Sequence, residues 1–397
     1  MGAQLSITAQ AHGLDGSLVE PDWPPLTRDE VYGLLGRYPR LRGPFEIVTI
    51  SPRPLSAASV VIAGEQRVFV KRHARVVRDA EALREEHRFM AHLAANGVVV
   101  PQVLENDGGD SVVECGEWSY EVHTVPLGID AYEDAISWMP FQCVEHAYSA
   151  GGIIARLHGA AQGYDAPART HRHLVAGFTI FAAVDPAAEL AHYLANRPAL
   201  RAYLECSGCA VEAMRLLAPF HAELLPVLRR LAPLWTHNDL HPSNLFWSDA
   251  TRAAHATAVI DFGLCDRTNA AHDLAHAIER SIVEWLVLVN DPKRPERVPM
   301  HMDHLWALLE GYESVRPLSR AEAAALAPML ALCHAEFALS EADYFLSVLR
   351  SEEKAYMACE GYLLSHAQWW HGPGAALLDE LRAWAANPRA GQRGMPA

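Results

Sequence analysis

The sequence predicts an α+β protein, and two features of the chain carry that expectation. Strand-like segments crowd into the residues up to about 126, and long helical patterns fill the chain from about 127 onward. Strands and helices grouped in separate blocks indicate segregated packing, because a doubly wound sheet would alternate them. Composition agrees with an ordered fold. Half of the 397 residues are hydrophobic and only 20% are charged, enough apolar material for a sizeable core in a chain of two or three folding units.

Taken in order, residues 1–26 are punctuated by Gly and Pro and form an irregular lead-in. Thr27-Arg28-Asp29-Glu30 is a helix start: Thr27 caps, Glu30 completes a capping box, and Val31, Leu34 and Leu35 give the apolar stripe. Strands are expected over 45–50, 59–63 and 67–71, the last two joined by a turn at Gly64-Glu65-Gln66. Leu83, His87, Met90 and Leu93 share one side of a helix over 79–95, which Asn96-Gly97 stops. Further strands are expected over 98–103, 111–114 and 118–125. Helices then cover 143–162, 187–194, 210–231, 273–289, 304–314, 320–351 and 377–385, before a frayed tail. The expected division is a lead-in and helix over 1–44, a strand-rich part over 45–126 and a helical part over 127–397.

Charge and cysteine content narrow the function classes. A formal net charge of −15 argues against a nucleic-acid partner, which would require clustered Lys and Arg to displace counterions. It is compatible with a cationic small molecule. The first residues lack the basic and apolar regions of a secretory signal, and no uninterrupted apolar run reaches about 18 residues, so no membrane partner is expected. The seven cysteines are scattered, and Cys206-x-x-Cys209 has no second pair to complete a zinc site. A reduced, cytoplasmic protein is expected.

The densest chemistry lies in His237-Asn238-Asp239-Leu240-His241-Pro242-Ser243-Asn244, followed by Ile260-Asp261-Phe262-Gly263. Phosphoryl transfer requires a carboxylate that orients the attacking hydroxyl and hard oxygen ligands that hold Mg²⁺ against nucleotide phosphates. An Asp and an Asn five residues apart share one tight loop. A hairpin of strands over 245–247 and 258–260 then delivers a second Asp. Either motif alone is ordinary turn chemistry; both together, with strand segments between, are far harder to produce by accident.

These residues resemble the aminoglycoside phosphotransferase and choline kinase family. The resemblance implies a protein-kinase-like bilobal fold, with a small antiparallel-sheet lobe holding one helix and a larger, mainly helical lobe. It implies Asp239 as the catalytic base, Asn244 and Asp261 as Mg²⁺ ligands, and His237 as a loop organiser. His241 stands where protein kinases place a Lys, and Asn269 to Ala275 follows Gly263 almost at once, leaving no room for a long activation loop. Asp273 is expected at a helix start, bracing the catalytic loop. Gly152-Ile153-Ile154-Ala155-Arg156-Leu157-His158 matches the family's helix leading into the helical lobe, with His158 as a packing residue.

The amino-terminal part would supply the nucleotide clamp. Lys71, ending the strand Val68-Phe69-Val70-Lys71, is the phosphate-contacting lysine, paired with Glu86 or its neighbour Glu85. The segment from Ser51 to Ser59 has no glycine, and Ser56 and Ser59 offer hydroxyls in place of the close backbone approach that glycine permits. Tyr120-Glu121-Val122-His123 is the hinge strand, with Val122 presenting backbone to the base. The donor is ATP, with GTP open. The acceptor is a hydroxyl of a small molecule: an aminoglycoside-like compound, an amino alcohol or a sugar. The alternatives are a housekeeping metabolite kinase of the homoserine, choline or sugar type and a catalytically silent binding protein. Glu279, Glu284, Glu336, Glu341 and Asp343, with Trp285, Phe337, Tyr344 and Phe345, are candidates for binding an amine. Oligomeric state is left open by the sequence.

Overall fold

The computed structural model describes residues 11–12, 18–51, 54–135 and 137–387. Most of the lead-in, two loop residues (Pro52 and Arg53) and the tail from 388 lie outside the described residues. The chain divides into two compact units, one of residues 1–90 and 101–126, the other of residues 91–100 and 127–397.

The first unit opens with two-residue strands β1 (Ala11–His12) and β2 (Leu18–Val19), paired with each other. Helix α1 (Arg28–Leu35) carries the capping box foreseen at Thr27 and Glu30: the Thr27 hydroxyl accepts from the Glu30 N–H, and the Glu30 carboxylate accepts from the Thr27 N–H. Its stripe of Val31, Leu34 and Leu35 is fully buried. A five-stranded antiparallel sheet follows, made of β3 (Phe45–Ile50), β4 (Ala57–Ala63), β5 (Gln66–Ala74), β6 (Val113–Cys115) and β7 (Trp118–Thr124), in the order β3-β4-β5-β7-β6. Val61, Val68, Val70, Tyr120 and Val122 of the sheet share one core with Leu26, Leu35, Tyr38 and Leu41. That shared core explains why α1 belongs to this unit: alone, an eight-residue helix has too few turns to be stable. Helix α2 (Ala80–Ala95) starts where the Asp79 carboxylate accepts from the Ala82 N–H. The expected strand over 98–103 is corrected to an extended connection with a single bridge, Val103 to His123. Its Val99 carbonyl instead accepts from the Val259 N–H, within the second unit.

The second unit is mostly helical. Its elements include α3 (Val144–Ala160), α4 (Pro186–Ala195), α5 (Pro198–Ser207), α6 (Cys209–Leu228), α7 (Ala270–Ile282), the short α8 (Trp285–Asn290), α9 (Met302–Val315), α10 (Arg320–Leu332) and α11 (His334–Tyr344). Short α12 (Glu352–Tyr356) and α13 (Ser365–Trp370) and the longer α14 (Ala375–Ala386) close it. Two antiparallel strand pairs are embedded among them: β8 (Pro233–Thr236) with β11 (Asp266–Asn269), and β9 (Leu245–Trp247) with β10 (Ala256–Val259). The run from Arg320 to Leu349 is long and apolar enough to pass for a membrane span by composition, but 94% of its apolar window is buried inside the molecule, as a core helix. Helices α3 and α9 approach until backbone meets backbone. A Cβ on Gly151 would stand 1.9 Å from the Leu308 carbonyl oxygen, and one on Gly311 would stand 1.9 Å from that of Tyr148.

Candidate active site

The β8–β11 pair frames the loop that carries Asp239. Thr236 sits opposite Asp266 in the register, and the chain leaves β8 directly into His237. Asn238 then adopts a left-handed backbone, φ 61°, a conformation that Asn tolerates better than most side chains. Its side chain is buried and fully engaged. Asn238 Oδ1 accepts from the Thr236 hydroxyl at 2.8 Å, and its Nδ2 donates to the Leu264 carbonyl at 3.2 Å. The turn reverses the chain so that Asp239 faces Asn244, which lies on a 3-10 turn over Pro242–Asn244. Asn244 Nδ2 donates to the Asp239 carbonyl at 2.8 Å and to its Oδ2 at 3.2 Å.

His237 organises this loop, as expected. The Asp239 N–H donates to its Nδ1 at 3.2 Å, which places the ring proton on Nε2, and Nε2 donates to the Ile260 carbonyl at 2.9 Å. The Ile260 N–H in turn donates to the Asn244 carbonyl at 3.0 Å. Loop and hairpin are thereby tied one residue before Asp261. Phe262 packs edge-on against the His237 ring, with centroids 4.7 Å apart.

Asp273, in the first turn of α7, braces the loop from behind. Its Oδ1 accepts from the Asn238 N–H at 2.6 Å and its Oδ2 from the His237 N–H at 3.1 Å. His158 Nε2 donates to the same Oδ2 at 2.9 Å, while its Nδ1 accepts from the Tyr312 hydroxyl at 2.8 Å. Arg316 donates to that hydroxyl at 2.7 Å. The chain Arg316–Tyr312–His158–Asp273 therefore runs from α9 and its C-terminal cap through α3 to the catalytic loop. Asp273 is fully buried, yet these donors, His158 first, hold its carboxyl below the usual range.

Asp239 is in the opposite situation. Burial pushes its carboxyl up, and Asp261 adds to the rise, against the Arg280 guanidinium, which lowers it. Arg280, on α7, is fully buried. Its Nη1 donates to the Asn238 carbonyl at 2.9 Å and to Asp239 Oδ1. The guanidinium lies 5.1 Å from the Trp138 ring centroid and 5.3 Å from that of Phe337.

Asp261 is exposed and has φ 59°. Gly263 leaves room beside it, since a Cβ there would stand 3.4 Å from Asp261 Oδ1. The donor set suits magnesium. Asp261 could offer carboxylate oxygens, and the Nδ2 of Asn244 is spent on Asp239, so its amide oxygen could face a metal.

In the first unit, Lys71 stands on β5 opposite Ala58 and Glu121 in the register. Glu86 lies on the buried side of α2 with 3% exposure, whereas Glu85 is half-buried. β4 begins at Ala57, two residues earlier than expected. Ser56 lies in the loop before it, but Ser59 is two residues inside β4, paired with Val70 and fully buried. Val122 is mid-strand and buried, and its carbonyl already accepts from the Leu104 N–H at 2.8 Å. Both sit inside the sheet, Ser59 beside Val70 in the register and Val122 beside Val70 on its other side. Glu121, beside Val122, gathers three histidines that were not foreseen as a group. His73 lies 3.0 Å, His87 2.7 Å and His123 3.1 Å from its carboxylate, so the cluster links β5, α2 and β7.

The acidic candidates near the carboxyl end separate clearly. Glu336 accepts from the Thr179 and Ile180 N–H groups, and burial lifts it to about 7. Asp343 is held by Arg172 at 3.1 Å and Arg197 at 3.5 Å. Glu284 pairs with His301 at 2.8 Å. These three already have partners within the fold. Trp285 stacks on His366, centroids 3.6 Å apart, within a packed group including Trp369 and Trp370. Among the candidates, Glu279 and Phe337 contact Arg280 directly.

A family model described as "Phosphotransferase enzyme family" matches residues 55–318. A homoserine kinase of Rhodospirillum rubrum is 32% identical over 253 residues, 61% of this chain and 63% of that protein. One of Granulibacter bethesdensis is 26% identical over 260 residues, 63% of this chain and 66% of that protein. The chain thus matches just under two thirds of the length of these relatives. Among solved structures, a microcompartment-associated aminopropanol kinase superposes with a TM-score of 0.59 at 18% identity, over 90% of this chain and 99% of that one. The amicoumacin kinase hAmiN gives 0.53 at 12% identity, over 91% and 94%. An aminoglycoside phosphotransferase of Alicyclobacillus acidocaldarius gives 0.51 at 16% identity, over 92% and 98%. The likeness in fold over nearly the whole length agrees with the sheet and helices described, and the match over residues 55–318, with Asp239, Asn244 and Asp261 inside it, makes the chain a member of the phosphotransferase enzyme family.

Proposed function

We propose that this chain is a small-molecule kinase that moves the γ-phosphate of ATP, with GTP the alternative donor, to a hydroxyl of a metabolite. The observation that carries this reading is Asp239 facing Asn244 on a loop held at two backbone N–H groups by Asp273. A loop pinned in this way keeps the carboxylate in one place while a hydroxyl approaches, which is the greater part of what phosphoryl transfer asks of a protein. Asp239 orients the hydroxyl and takes its proton. Its burial makes it a stronger base than an exposed aspartate. Asn244 and Asp261 would hold Mg²⁺, which when bound neutralises charge on the nucleotide phosphates.

In the first unit, Lys71 meets the phosphates and Glu86 orients Lys71, favoured over Glu85 because it lies on the buried side of α2. Ser56 contributes a hydroxyl from the loop, while Ser59 and Val122 act through the strands they belong to. A housekeeping acceptor is favoured over an aminoglycoside by the 32% identity to a homoserine kinase, and because three of the acidic side chains offered for a polycation are committed elsewhere. The setting is cytoplasmic.

The test is nucleotide consumption across hydroxyl-bearing amino acids, amino alcohols, sugars and aminoglycosides. Acceptor-dependent turnover is expected with a metabolite, and Asp239→Asn should lower it by at least ~100-fold. Turnover confined to aminoglycosides would replace the housekeeping reading, and an undiminished Asp239→Asn would remove the base from its role.

A further inference from the structure

Arg280 is not required by a phosphoryl-transfer loop as such, and its surroundings describe a ligand. The side chain is fully buried, yet among the described residues only Nη1 makes hydrogen bonds, to Asn238 and Asp239, while Nε meets Glu279 only as a 3.8 Å ion pair. Nε and Nη2 have no hydrogen-bond partner among the described residues. Together these two nitrogens form the side edge of the guanidinium, whose paired N–H groups match the two oxygens of a carboxylate. Leaving such donors dry and unmade is costly, so an unpaired, buried Arg edge beside the reacting group signals something that arrives to meet it. Aromatic rings wall the guanidinium: Trp138, itself held at φ 64°, and Phe337. For a tryptophan that backbone conformation is unusual and is concentrated at ligand clamps.

The nearest charge of opposite sign makes the description more specific. Glu279 Oε2 lies 3.8 Å from Arg280 Nε, too far for a hydrogen bond, and has no hydrogen-bond partner among the described residues. Its Oε1 is taken by His366 Nδ1 at 3.1 Å. The Tyr362 hydroxyl, which lies close enough to Glu279 and Arg280 to sense both charges, is also unpaired among the described residues. A cation and an anion side by side, each with one unmet edge, complement a ligand that carries the two opposite charges on adjacent atoms.

Resting on the kinase reading above, we propose that the acceptor is a zwitterionic hydroxy amino acid whose carboxylate is held by the Nε and Nη2 edge of Arg280 and whose ammonium is held by Glu279. Since Nη1 of the same guanidinium touches Asp239, a short carbon chain from the carboxylate brings the hydroxyl to the base. The transfer balances simply: the acceptor oxygen forms the new bond to the γ-phosphorus, the bond from that phosphorus to the nucleotide's bridging oxygen breaks, and Asp239 takes the hydroxyl proton. Arg280 is in this way the residue that separates a hydroxy amino acid from the corresponding amino alcohol.

A matched pair of acceptors tests this: 2-amino-4-hydroxybutanoate and 3-aminopropan-1-ol, which differ only in the carboxylate. In the wild-type chain kcat/KM should favour the acid by at least ~100-fold, the scale on which a site built for a polar group rejects the analogue lacking it. Arg280→Gln should collapse that ratio below about tenfold, chiefly through KM for the acid, whatever it does to the absolute rates. A wild-type ratio near one overturns the proposal, and so does a folded Arg280→Gln that keeps the ratio. If Arg280→Gln does not fold, the wild-type ratio alone decides. If neither compound is phosphorylated, the kinase reading fails for this acceptor class, and calorimetric titration still reads the anion site. Binding of the acid but not of the amino alcohol upholds Arg280 as the carboxylate receptor; binding of neither overturns it.

Discussion

As the proposed base, Asp239 would have to be charged to accept a proton, yet the fold takes water away from it. Burial raises its carboxyl and nearby Asp261 raises it further, while Arg280 pulls the other way without cancelling the shift. The base works only when unprotonated, so activity falls as pH drops through that raised value. The expected outcome is an acid limb in kcat/KM centred above the ordinary aspartate value of about 3.9. Since kcat/KM reports the free enzyme, the limb belongs to Asp239 as it stands here. A pH–rate profile with its acid limb at or below the ordinary value would contradict this electrostatic account. At this scale the sequence is legible where chemistry is contiguous. His237, Asp239, Asn244 and Asp261 lie within 25 residues, so the motif can be read from one stretch of sequence. It is silent where partners are distant: His158 meets Asp273 across 115 residues, and Arg280, on a helix, has the look of any solvated charge. Asn238 offers no signal either, because its role lies in a backbone angle and in side-chain bonds to Thr236 and the distant Leu264.

The contact between α3 and α9 does for the elements what Asp273 does for the loop. Gly151 and Gly311 let the two backbones touch, and that closeness holds His158 of α3 within hydrogen-bonding reach of Tyr312 of α9. Gly311→Ala would force its Cβ onto the Tyr148 carbonyl, and Gly151→Ala onto that of Leu308. Each should cost about 1–3 kcal/mol as overpacking, measured by denaturant unfolding, and should lower kcat by loosening the brace behind Asp239. Gly159→Ala, in the same helix with nothing within 4 Å, is the control, and should be neutral or slightly stabilising. Equal behaviour of all three variants would refute the close-contact argument. Periodicity finds these helices but not their crossing, which depends on which glycines face each other. The same limit explains the other differences in the fold. The expected helix over 320–351 runs from Arg320 to Leu349, with α10 and α11 meeting at Cys333 in right-handed helical backbone, but it ends in a π-turn over Phe345–Leu349 that periodicity does not show. Strands β8 and β11 went unforeseen because β8 opens on Pro233 and β11 reads as the polar run Asp266-Arg267-Thr268-Asn269, whereas α1 was legible from its local capping box.

Across the whole molecule the most unusual investment is in buried histidine. In the second unit His272, His276, His334 and His366 are all fully buried, and removal from water is the leading cause that depresses each of them, His272 to about 3 and His334 to about 4. In the first unit burial likewise lowers His73, despite its contact with Glu121. Unfolding returns each ring to an ordinary value near 6.5. Between the two values the unfolded chain binds more protons than the folded one, so acid favours unfolding. Stability from these groups is complete above about pH 6.5 and is lost as pH falls toward their folded values. Each contributes a slope of about 1.4 kcal/mol per pH unit inside its window, so His272 and His334 together give roughly 2–3 kcal/mol per unit between pH 6 and 4. Glu121 adds to the loss below its unfolded range, since the histidines, His123 foremost, hold it well below the usual carboxylate value against the cost of burial. Denaturant midpoints measured at half-unit steps from pH 7.5 to 4.5 should therefore be level at first and then fall steeply below about 6.5. His334→Gln, which leaves a polar but non-titrating side chain, should reduce the slope by about one group's share. A stability profile that stays flat to pH 4.5 would mean that these rings take up protons in the folded state, and that the hydrogen-bond networks around Glu279 and Asn238 carry more charge than their geometry implies.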